Sequence, residues 1–358
     1  MPVFSHVENY DHEQVVFCRN DRAGLRAIIA IHDTTLGPAL GGCRMYPYPS
    51  EADALRDVLR LSRGMTYKAA CANLNLGGGK AVILADPRSD KSEALFRAFG
   101  QYVDALGGRY ITAEDSGTSV ADMDLIHSQT DHVCGVSAFA GGSGDPSPVT
   151  AWGVFHGIRA ALDEVFGDPD PRGRTVAVQG VGNVGYHLVR YLSDAGAKTV
   201  VCDVDGDRLD RVREEFGSTI VETSDIYEVD GDVFAPCALG GVLNDVTIPK
   251  LRVPIIAGGA NNVLDDMARH GDMVRAREIL YAPDYVINAG GLINVYAEIH
   301  KLPREKALRD AEGIYNTLKS IFAKARNKGI TTAEAANHVA EDRIEAIGAL
   351  SSFQPVRR

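Results

Sequence analysis

The sequence has no apolar run that approaches the roughly 20 residues of a membrane helix. It opens with Met1-Pro2-Val3-Phe4, which lacks the charged and then apolar pattern of a secretory signal. Basic residues are also scarce, 37 against 48 acidic ones, and the formal net charge of −11 argues against nucleic acid as the main partner. We therefore expect a soluble, cytoplasmic protein with no membrane partner.

Cysteine pairs are missing as well. The six cysteines form no Cys-x-x-Cys pair and have no histidine nearby at ligand spacing. In a chain of this size the pattern predicts reduced thiols rather than a disulfide framework or a zinc site, so we expect no metal. Cys202 and Cys237 stand in apolar strand-like runs, where a free cysteine is usually a small core residue.

A phosphate-binding loop is excluded for the lysine that follows Gly77-Gly78-Gly79. Such a loop needs a glycine and a Ser or Thr where this chain has Leu74 and Ala81. Consecutive glycines serve where backbone must approach something closely. We predict a tight turn that delivers Lys80 into a cleft at the start of a strand, residues 81–84. The alternative is an exposed lysine beside a flexible turn.

What is present is an alternation of strand and helix patterns, in a chain long enough for about two domains. The first part reads as a hairpin, a glycine-rich irregular stretch at 37–42, and a helix over 50–71 that Ser50 caps, with Lys68 near its C-terminal end. The expected elements are the hairpin strands 14–18 and 25–31, the helix 50–71, the strand 81–84, the helix 92–106 and the strand 109–112.

Asp115 follows the last of these strands in the loop Ala113-Glu114-Asp115-Ser116. Loops at strand ends commonly carry catalytic groups because the sheet places them rigidly. Asp115 is therefore a candidate acid. Taken alone, the loop allows another interpretation, in which Asp115 caps a helix that begins near Ser119.

The clearest nucleotide signal is Gly180-Val181-Gly182-Asn183-Val184-Gly185. It lies between a strand, 175–179, and a helix that ends near Gly196, and a second strand then ends in Asp203. Strand, Gly-x-Gly-x-x-Gly, helix, strand and acid is the order of a dinucleotide fold. A carboxylate at this place accepts bonds from the adenosine ribose and repels a 2′-phosphate, and the next cation is Arg208. NAD is favoured over NADP.

Two polar clusters follow later strand candidates, at 258–262 and 283–291. Ligands of open α/β sheets bind at the carboxyl ends of strands, so both clusters are expected to face the cofactor cleft. For Asn261 the alternative is a plain turn residue. The chain then ends in helices, with Thr331 and Glu334 predicted as the capping box of the last one. The stretch 141–148, dense in Gly, Pro and Ser, marks a hinge.

Several long motifs occur together in one order: Leu36-Gly37-Pro38-Ala39-Leu40-Gly41-Gly42, Gly64-Met65-Thr66-Tyr67-Lys68, Leu76-Gly77-Gly78-Gly79-Lys80, Thr112-Ala113-Glu114-Asp115, the fingerprint Gly180 to Gly185, Phe234-Ala235-Pro236-Cys237-Ala238, Ala260-Asn261-Asn262 and Pro283 to Gly291. Together they resemble the glutamate/leucine/phenylalanine/valine dehydrogenases from about residue 10 to residue 345, with the greatest likeness to the leucine dehydrogenases.

The resemblance implies an enzyme that reversibly deaminates an L-amino acid to a 2-oxo acid and ammonia, with hydride passing to NAD. It implies that Lys68 binds the substrate carboxylate, that Lys80 activates water, and that Asp115 is its partner in proton transfer. Its other implied substrate residues are Met65, Gly41, Gly42, Leu40, Ala113, Asn262, Leu292 and Val295. Its implied cofactor residues are Gly180, Gly182, Asn183, Val184, Gly185, Asp203, Cys237, Ala238, Asn261 and Asn288.

The fold that the resemblance implies is α/β with two domains separated by a cleft. One is an N-terminal α/β substrate and oligomerisation domain, residues 1–140 with 331–358, because the last helix returns to it. The other is a Rossmann-like, doubly wound NAD-binding domain, residues 141–330. A homo-oligomer, an octamer by resemblance, is expected.

Four aliphatic residues occupy the positions of the family's side-chain pocket, Leu40, Ala113, Leu292 and Val295. None can receive a glutamate carboxylate, so a branched aliphatic substrate is expected: leucine, with valine and isoleucine. An aromatic substrate is the alternative, since Ser116 departs from the leucine dehydrogenases and Leu292 also resembles the tryptophan dehydrogenases. A non-catalytic NAD-binding protein on this fold is expected to lack one of the two lysines or the acid, and all are present.

Overall fold

The computed structural model describes residues 10–352. Its contacts divide the chain into two compact units. The first contains Met1–Gly144, Glu298–Lys301 and Ala340–Arg358, and the second contains Asp145–Ala297 and Leu302–Val339. The boundaries at 140/141 and 330/331, and the roles given to the two domains, stay predictions.

A mixed sheet of five strands forms the centre of the first unit, in the order β1-β2-β4-β3-β5. Strand β3 runs parallel to β4 and β5. Strand β2 runs antiparallel to both of its neighbours, β1 and β4. The predicted hairpin is confirmed as β1 and β2. The strands are β1 (Gln14–Asn20), β2 (Leu25–Asp33), β3 (Ala39–Tyr46), β4 (Gly77–Leu84) and β5 (Tyr110–Glu114).

Helices cover both faces of this sheet. α1 packs its Leu55 and Val58 against Val82 on one face, while Phe96 of α2 and Ile126 of α3 join the core on the other. The side chains of Ser50, Ser92 and Ser119 cap the three helices, as predicted for Ser50. The helices are α1 (Glu51–Cys71), α2 (Glu93–Asp104) and α3 (Val120–His127), and a 3-10 turn follows at Ala138–Ala140.

The predicted turn at Gly77-Gly78-Gly79 is wrong, because these residues lie inside strand β4. Residues 39–42 of the expected irregular stretch likewise belong to β3. The glycines are needed because neighbouring backbone comes too close for side chains. A Cβ at Gly78 would lie 2.2 Å from the amide nitrogen of Thr66 in α1, and one at Gly41 would lie 1.7 Å from the carbonyl of Gly79.

Replacing Gly78 by Ala is expected to lower the free energy of unfolding of this unit by about 1–3 kcal/mol, as overpacking does. The added methyl group meets backbone atoms of Ser62 and Thr66, which cannot rotate away. Gly64→Ala is the matched control: Gly64 lies exposed in α1 with nothing within 4 Å of its Cβ position. Gly64→Ala is expected to raise the free energy of unfolding by about 0.5–1 kcal/mol, because Ala has the higher helix propensity. Denaturant unfolding measures both, and equal midpoints would contradict the close approach.

The second unit contains a six-stranded sheet in the order β11-β10-β9-β6-β7-β8. All of its pairings are parallel. The chain therefore winds outwards from β6 in both directions, and the α/β, doubly wound prediction is confirmed. The strands are β6 (Thr175–Gln179), β7 (Lys198–Cys202), β8 (Thr219–Ile220), β9 (Val233–Pro236), β10 (Ile255–Ile256) and β11 (Leu280–Tyr281).

Within residues 10–352, nine further helices follow α3. Gly329 ends α11 in a left-handed conformation, and Thr331 and Glu334 bond reciprocally at the start of α12, as predicted. The helices are α4 (Ser147–Phe166), α5 (Asn183–Asp194), α6 (Gly206–Phe216), α7 (Met267–Ala276), α8 (Asp284–Ile287), α9 (Gly290–Ile299), α10 (Arg304–Glu312), α11 (Ile314–Lys328) and α12 (Thr332–Gly348), with 3-10 turns at Ile226–Glu228, Ile248–Lys250 and Ala349–Ser352.

All six cysteines carry free thiols, and five of them are buried. Cys202 is a core residue, as predicted, whereas Cys237 is partly exposed. Within residues 10–352, no helix is long and apolar enough to cross a membrane.

Candidate active site

The residues of the first unit's sheet that are predicted to bind substrate or to act in catalysis lie on one face of that sheet. Side chains alternate between the two faces of a strand. Leu40 pairs with Gly78, Arg44 with Val82 and Ala113 with Gly42. Because Val82 belongs to the core against α1, these positions and Lys80, two residues before it in β4, share the face that α1 covers.

Lys80 and Asp115 meet on this face. The Nζ atom of Lys80 lies 2.9 Å from Oδ2 of Asp115, and the lysine side chain is only 8% exposed. The alternative of an exposed surface lysine is thus contradicted. Asp115 is also no helix cap, since the side chain of Ser119 caps α3.

Gly42 makes room for this acid. A Cβ at Gly42 would lie 2.7 Å from the Cβ of Asp115 and 2.7 Å from the carbonyl oxygen of Glu114. The backbone of Asp115 is held by Thr118, whose hydroxyl accepts a bond from the Asp115 amide at 2.9 Å. The acid therefore stands in a fixed place at the end of β5.

A second cation, Arg44 in β3, also reaches Asp115. Its Nε donates to Oδ2 of Asp115 at 3.1 Å, and its Nη1 donates to Asp57 of α1 at 2.9 Å. Burial raises the pKa of Asp115, but Lys80 and Arg44 together outweigh burial and hold that pKa below its usual range. Sequence reasoning missed Arg44. The signal that could have found it is a charged residue two positions after Gly42, on the strand face that also carries Leu40.

The other predicted substrate residues of this unit lie close by along the chain and the sheet. Leu40 is buried in β3, and Ala113 is partly exposed near the end of β5. Met65 and Lys68 are half-buried in the last two turns of α1. The close approach of Thr66 to Gly78 brings this end of α1 against β4, two residues before Lys80.

In the second unit the fingerprint has the geometry that its glycines predict. Gly180 has a φ of +92°, and a Cβ there would lie 2.7 Å from the Cβ of Ala238. A Cβ at Gly185 would lie 2.0 Å from the carbonyl of Gly180. Helix α5 begins at Asn183 with Gly182 as its N-cap and no side-chain cap. Its first amides are thus available to an anion.

Asp203 lies at the end of β7, as predicted, and contacts this loop. Its Oδ2 accepts a bond from the Val181 amide at 2.7 Å, and its Oδ1 accepts one from the Asp205 amide at 3.1 Å. Cys237 follows β9, and its amide donates to Gln179 at 2.7 Å. Cys237 and Ala238 therefore pack behind the fingerprint turn.

The two polar clusters meet after β10 and β11. The side-chain amide of Asn288 donates to Oδ1 of Asn261 at 2.7 Å. Asn261 thus has a side-chain partner in the second cluster, and its role toward the cofactor stays a prediction, whereas Asn262, with a φ of +50°, has the turn conformation. Leu292 is buried and Val295 half-buried, three residues apart on α9. Asn262, Leu292 and Val295, predicted to contact substrate, thus belong to the second unit.

These residues fit a dinucleotide. A cavity of about 230 Å³ lies at the start of α5, lined by residues that include Gly182, Asn183 and the cationic Arg208 and Arg211. Arginines and free amides at a helix N-terminus suit a pyrophosphate, and the positions of Gly180 and Gly185 have no space for a side chain. Asp203 would hold the ribose, since each carboxylate oxygen can accept a further bond.

Known proteins carry the same two-part architecture. Residues 12–132 match the family model of the Glu/Leu/Phe/Val dehydrogenase dimerisation domain, and residues 141–207 and 204–352 match that of the Glutamate/Leucine/Phenylalanine/Valine dehydrogenases. Leucine dehydrogenase of Geobacillus stearothermophilus is 56% identical over 347 residues, 97% of this chain and 94% of that protein. Phenylalanine dehydrogenase of Lysinibacillus sphaericus is 49% identical over 356 residues, 98% of this chain and 93% of that protein.

A solved structure agrees with these matches. The crystal structure of L-tryptophan dehydrogenase from Nostoc punctiforme superposes with a TM-score of 0.89 at 48% identity, covering 97% of this chain and 99% of that one. Fold and sequence together define an amino acid dehydrogenase, an oxidoreductase of a class that uses a nicotinamide cofactor. The chain belongs to the glutamate/leucine/phenylalanine/valine dehydrogenase family, as its motifs indicate.

Proposed function

We propose that this enzyme catalyses the NAD-dependent, reversible oxidative deamination of a branched aliphatic L-amino acid, leucine with valine and isoleucine, to the 2-oxo acid and ammonia. The observation that carries the proposal is the contact of the buried Lys80 with Asp115, 2.9 Å apart, on the same sheet face as Leu40. Leu40 and Ala113 are aliphatic, and two cations on that face, Lys80 and Arg44, both bond Asp115.

Lys68 is proposed to bind the substrate carboxylate. The ammonium gives up a proton to solvent and the α-carbon a hydride, which leaves an iminium. Water then adds at the same carbon, and ammonia departs as the hydroxyl proton of the adduct passes to the leaving nitrogen. Lys80 takes the proton of that water, and Asp115 holds Lys80 in place and shares its proton. A nicotinamide cofactor, when bound, would supply the hydride acceptor. Gly42 keeps Asp115 within reach by leaving it space.

NAD is proposed over NADP because Asp203 ends β7 at the place of the ribose-binding acid. Its two carboxylate oxygens already accept bonds from Val181 and Asp205, which fixes the carboxylate beside the fingerprint. A fixed negative charge there disfavours a 2′-phosphate. With NADP in place of NAD we expect much slower turnover.

The test is NADH formation by the purified protein with NAD and leucine, valine, isoleucine, phenylalanine, tryptophan or glutamate in separate reactions. We expect the branched aliphatic substrates to exceed the others in kcat/KM by about tenfold or more, the range that pocket shape supplies. NADP in place of NAD is the cofactor control. No turnover of any amino acid, although NAD binds, would overturn the proposal.

An aromatic amino acid is the second candidate substrate. It is favoured by the likeness to the Nostoc tryptophan dehydrogenase over nearly the whole chain and by the bulk of Leu292. If phenylalanine or tryptophan leads in the same assay, the reaction type stands and the interpretation of the aliphatic pocket is wrong.

We also propose a homo-oligomer, an octamer, that works in the cytoplasm. The matched family model of residues 12–132 is described as a dimerisation domain, and the six free thiols suit a reducing compartment. Light scattering during size-exclusion chromatography gives the mass directly. A monomer at working concentration would contradict the oligomer.

A further inference from the structure

We propose that Arg44 is the positioning residue of Asp115: its guanidinium, anchored by Asp57 of α1, fixes where the Asp115 carboxylate meets Lys80. The proposal deepens the proposed function and rests on it, since it assigns Arg44 a part in the same reaction.

The first observation is that Arg44 and Lys80 share one oxygen atom. Nε of Arg44 lies 3.1 Å from Oδ2 of Asp115, and Nζ of Lys80 lies 2.9 Å from the same atom. With two donors on one oxygen from neighbouring strands, the carboxylate cannot rotate without losing both bonds. The rigid fork of a guanidinium sets direction as well as charge, which an ammonium does not.

The second observation is that Arg44 is itself held from the other side. Its Nη1 bonds Oδ2 of Asp57 at 2.9 Å, and the hydroxyl of Tyr48 bonds the same oxygen at 2.7 Å. Arg60 reaches Oδ1 of Asp57 at 3.1 Å. The side chains of Arg44 and Asp57 are 24% and 18% exposed, so water competes weakly with these bonds. The chain Tyr48, Asp57, Arg44, Asp115 thus ties helix α1 to the acid.

Several titratable groups surround Asp115. Lys80 and Arg44 favour its charged form, whereas Glu114, the Cys43 thiol and the Tyr110 phenol, when ionised, would oppose it. Beyond Arg44 lie Asp57, Tyr48 and Arg60. Loss of Arg44 removes one of the two cations beside the acid, so the Asp115 carboxylate then binds a proton more tightly.

Arg44→Met removes the charge and the fork and keeps an unbranched apolar stem. We expect kcat for the amino acid substrate to fall about 10- to 100-fold, as misplacement of a reacting group does. KM and NAD affinity should change little. The acidic limb of kcat/KM should move up by about one pH unit, the size of one neighbouring charge. An unmoved acidic limb would overturn the proposal.

Arg44→Lys separates charge from geometry. It should return the acidic limb toward that of the unchanged enzyme while kcat stays low; full recovery of both would show that charge alone acts and would overturn the positioning role.

Arg174→Met is the matched control, because Arg174 bonds Asp232 at 2.9 Å with similar exposure in the other unit. It should leave kcat and the pH profile unchanged, and a change equal to that of Arg44→Met would also count against the proposal.

Two further measurements keep the proposal testable. If Arg44→Met does not fold because Asp57 loses one of its two cationic partners, the double variant with Asp57→Asn removes the carboxylate that is left with Arg60 and Tyr48 and should show the same shift. Infrared difference spectra against Asp115→Asn follow the protonation of Asp115 without turnover. If the enzyme deaminates no amino acid, the proposed function fails, yet the spectra still decide Arg44: an Asp115 titration unmoved by Arg44→Met overturns it.

Discussion

Replacing Lys80 by Ala is expected to lower kcat for the amino acid substrate by about 10²- to 10⁴-fold, the contribution of a general base. No other lysine stands at Asp115 among the contacts of the described residues: the acid's side-chain partners are Lys80 and Arg44. Since Arg44 cannot lose its proton near neutral pH, it cannot replace Lys80 as a base. Steady-state kinetics with the best amino acid substrate measure the loss.

NAD affinity should survive this change, because the fingerprint and Asp203 belong to the second unit. Titration calorimetry with NAD checks that point. Lys91→Ala is the matched control: Lys91 also pairs with a buried acid of the first unit, Asp122, at 2.5 Å, but outside the candidate site. It should keep normal kcat. Retained activity in Lys80→Ala, or equal losses in both variants, would refute the role of Lys80 as the base.

Local signals in the sequence were sufficient for most of the fold. The caps at Ser50 and Thr331 act over three residues, and the fingerprint with its flanking strands lies within a single βαβ unit. Their physics is short-range, so their positions could be predicted. The class of enzyme followed from many such motifs in one order.

The features that could not be predicted from the sequence depend on contacts between residues far apart in the chain. A glycine run allows a turn or a strand, and the choice for residues 77–79 depends on how closely α1 and β3 approach, which no local pattern reveals. Arg44 was missed for the same reason: its partner Asp115 is 71 residues away in the chain. The resemblance implied that Lys80 and Asp115 act together, and the structure shows their atoms Nζ and Oδ2 to be 2.9 Å apart.

Replacing Asp203 by Ala is expected to weaken NAD binding by about 30- to 100-fold, or about 2–3 kcal/mol, the worth of hydrogen bonds to a charged group. Two effects combine. The variant loses the predicted bonds to the ribose hydroxyls. It also loses the 2.7 Å bond to the Val181 amide, which holds the fingerprint turn in shape between Gly180 and Gly182. Calorimetric titration with NAD measures the change.

Asp203→Asn separates the two effects, because its amide oxygen can still accept the Val181 bond while the charge is gone. It should lose less NAD affinity than Asp203→Ala and gain relative affinity for NADP, since the repulsion of a 2′-phosphate falls. Asp207→Ala is the matched control: Asp207 is an exposed acid in the first turn of α6. It removes the same charge four residues further along the chain and should leave NAD binding unchanged. If Asp207→Ala weakens binding as much as Asp203→Ala, general charge rather than the position of Asp203 sets cofactor affinity.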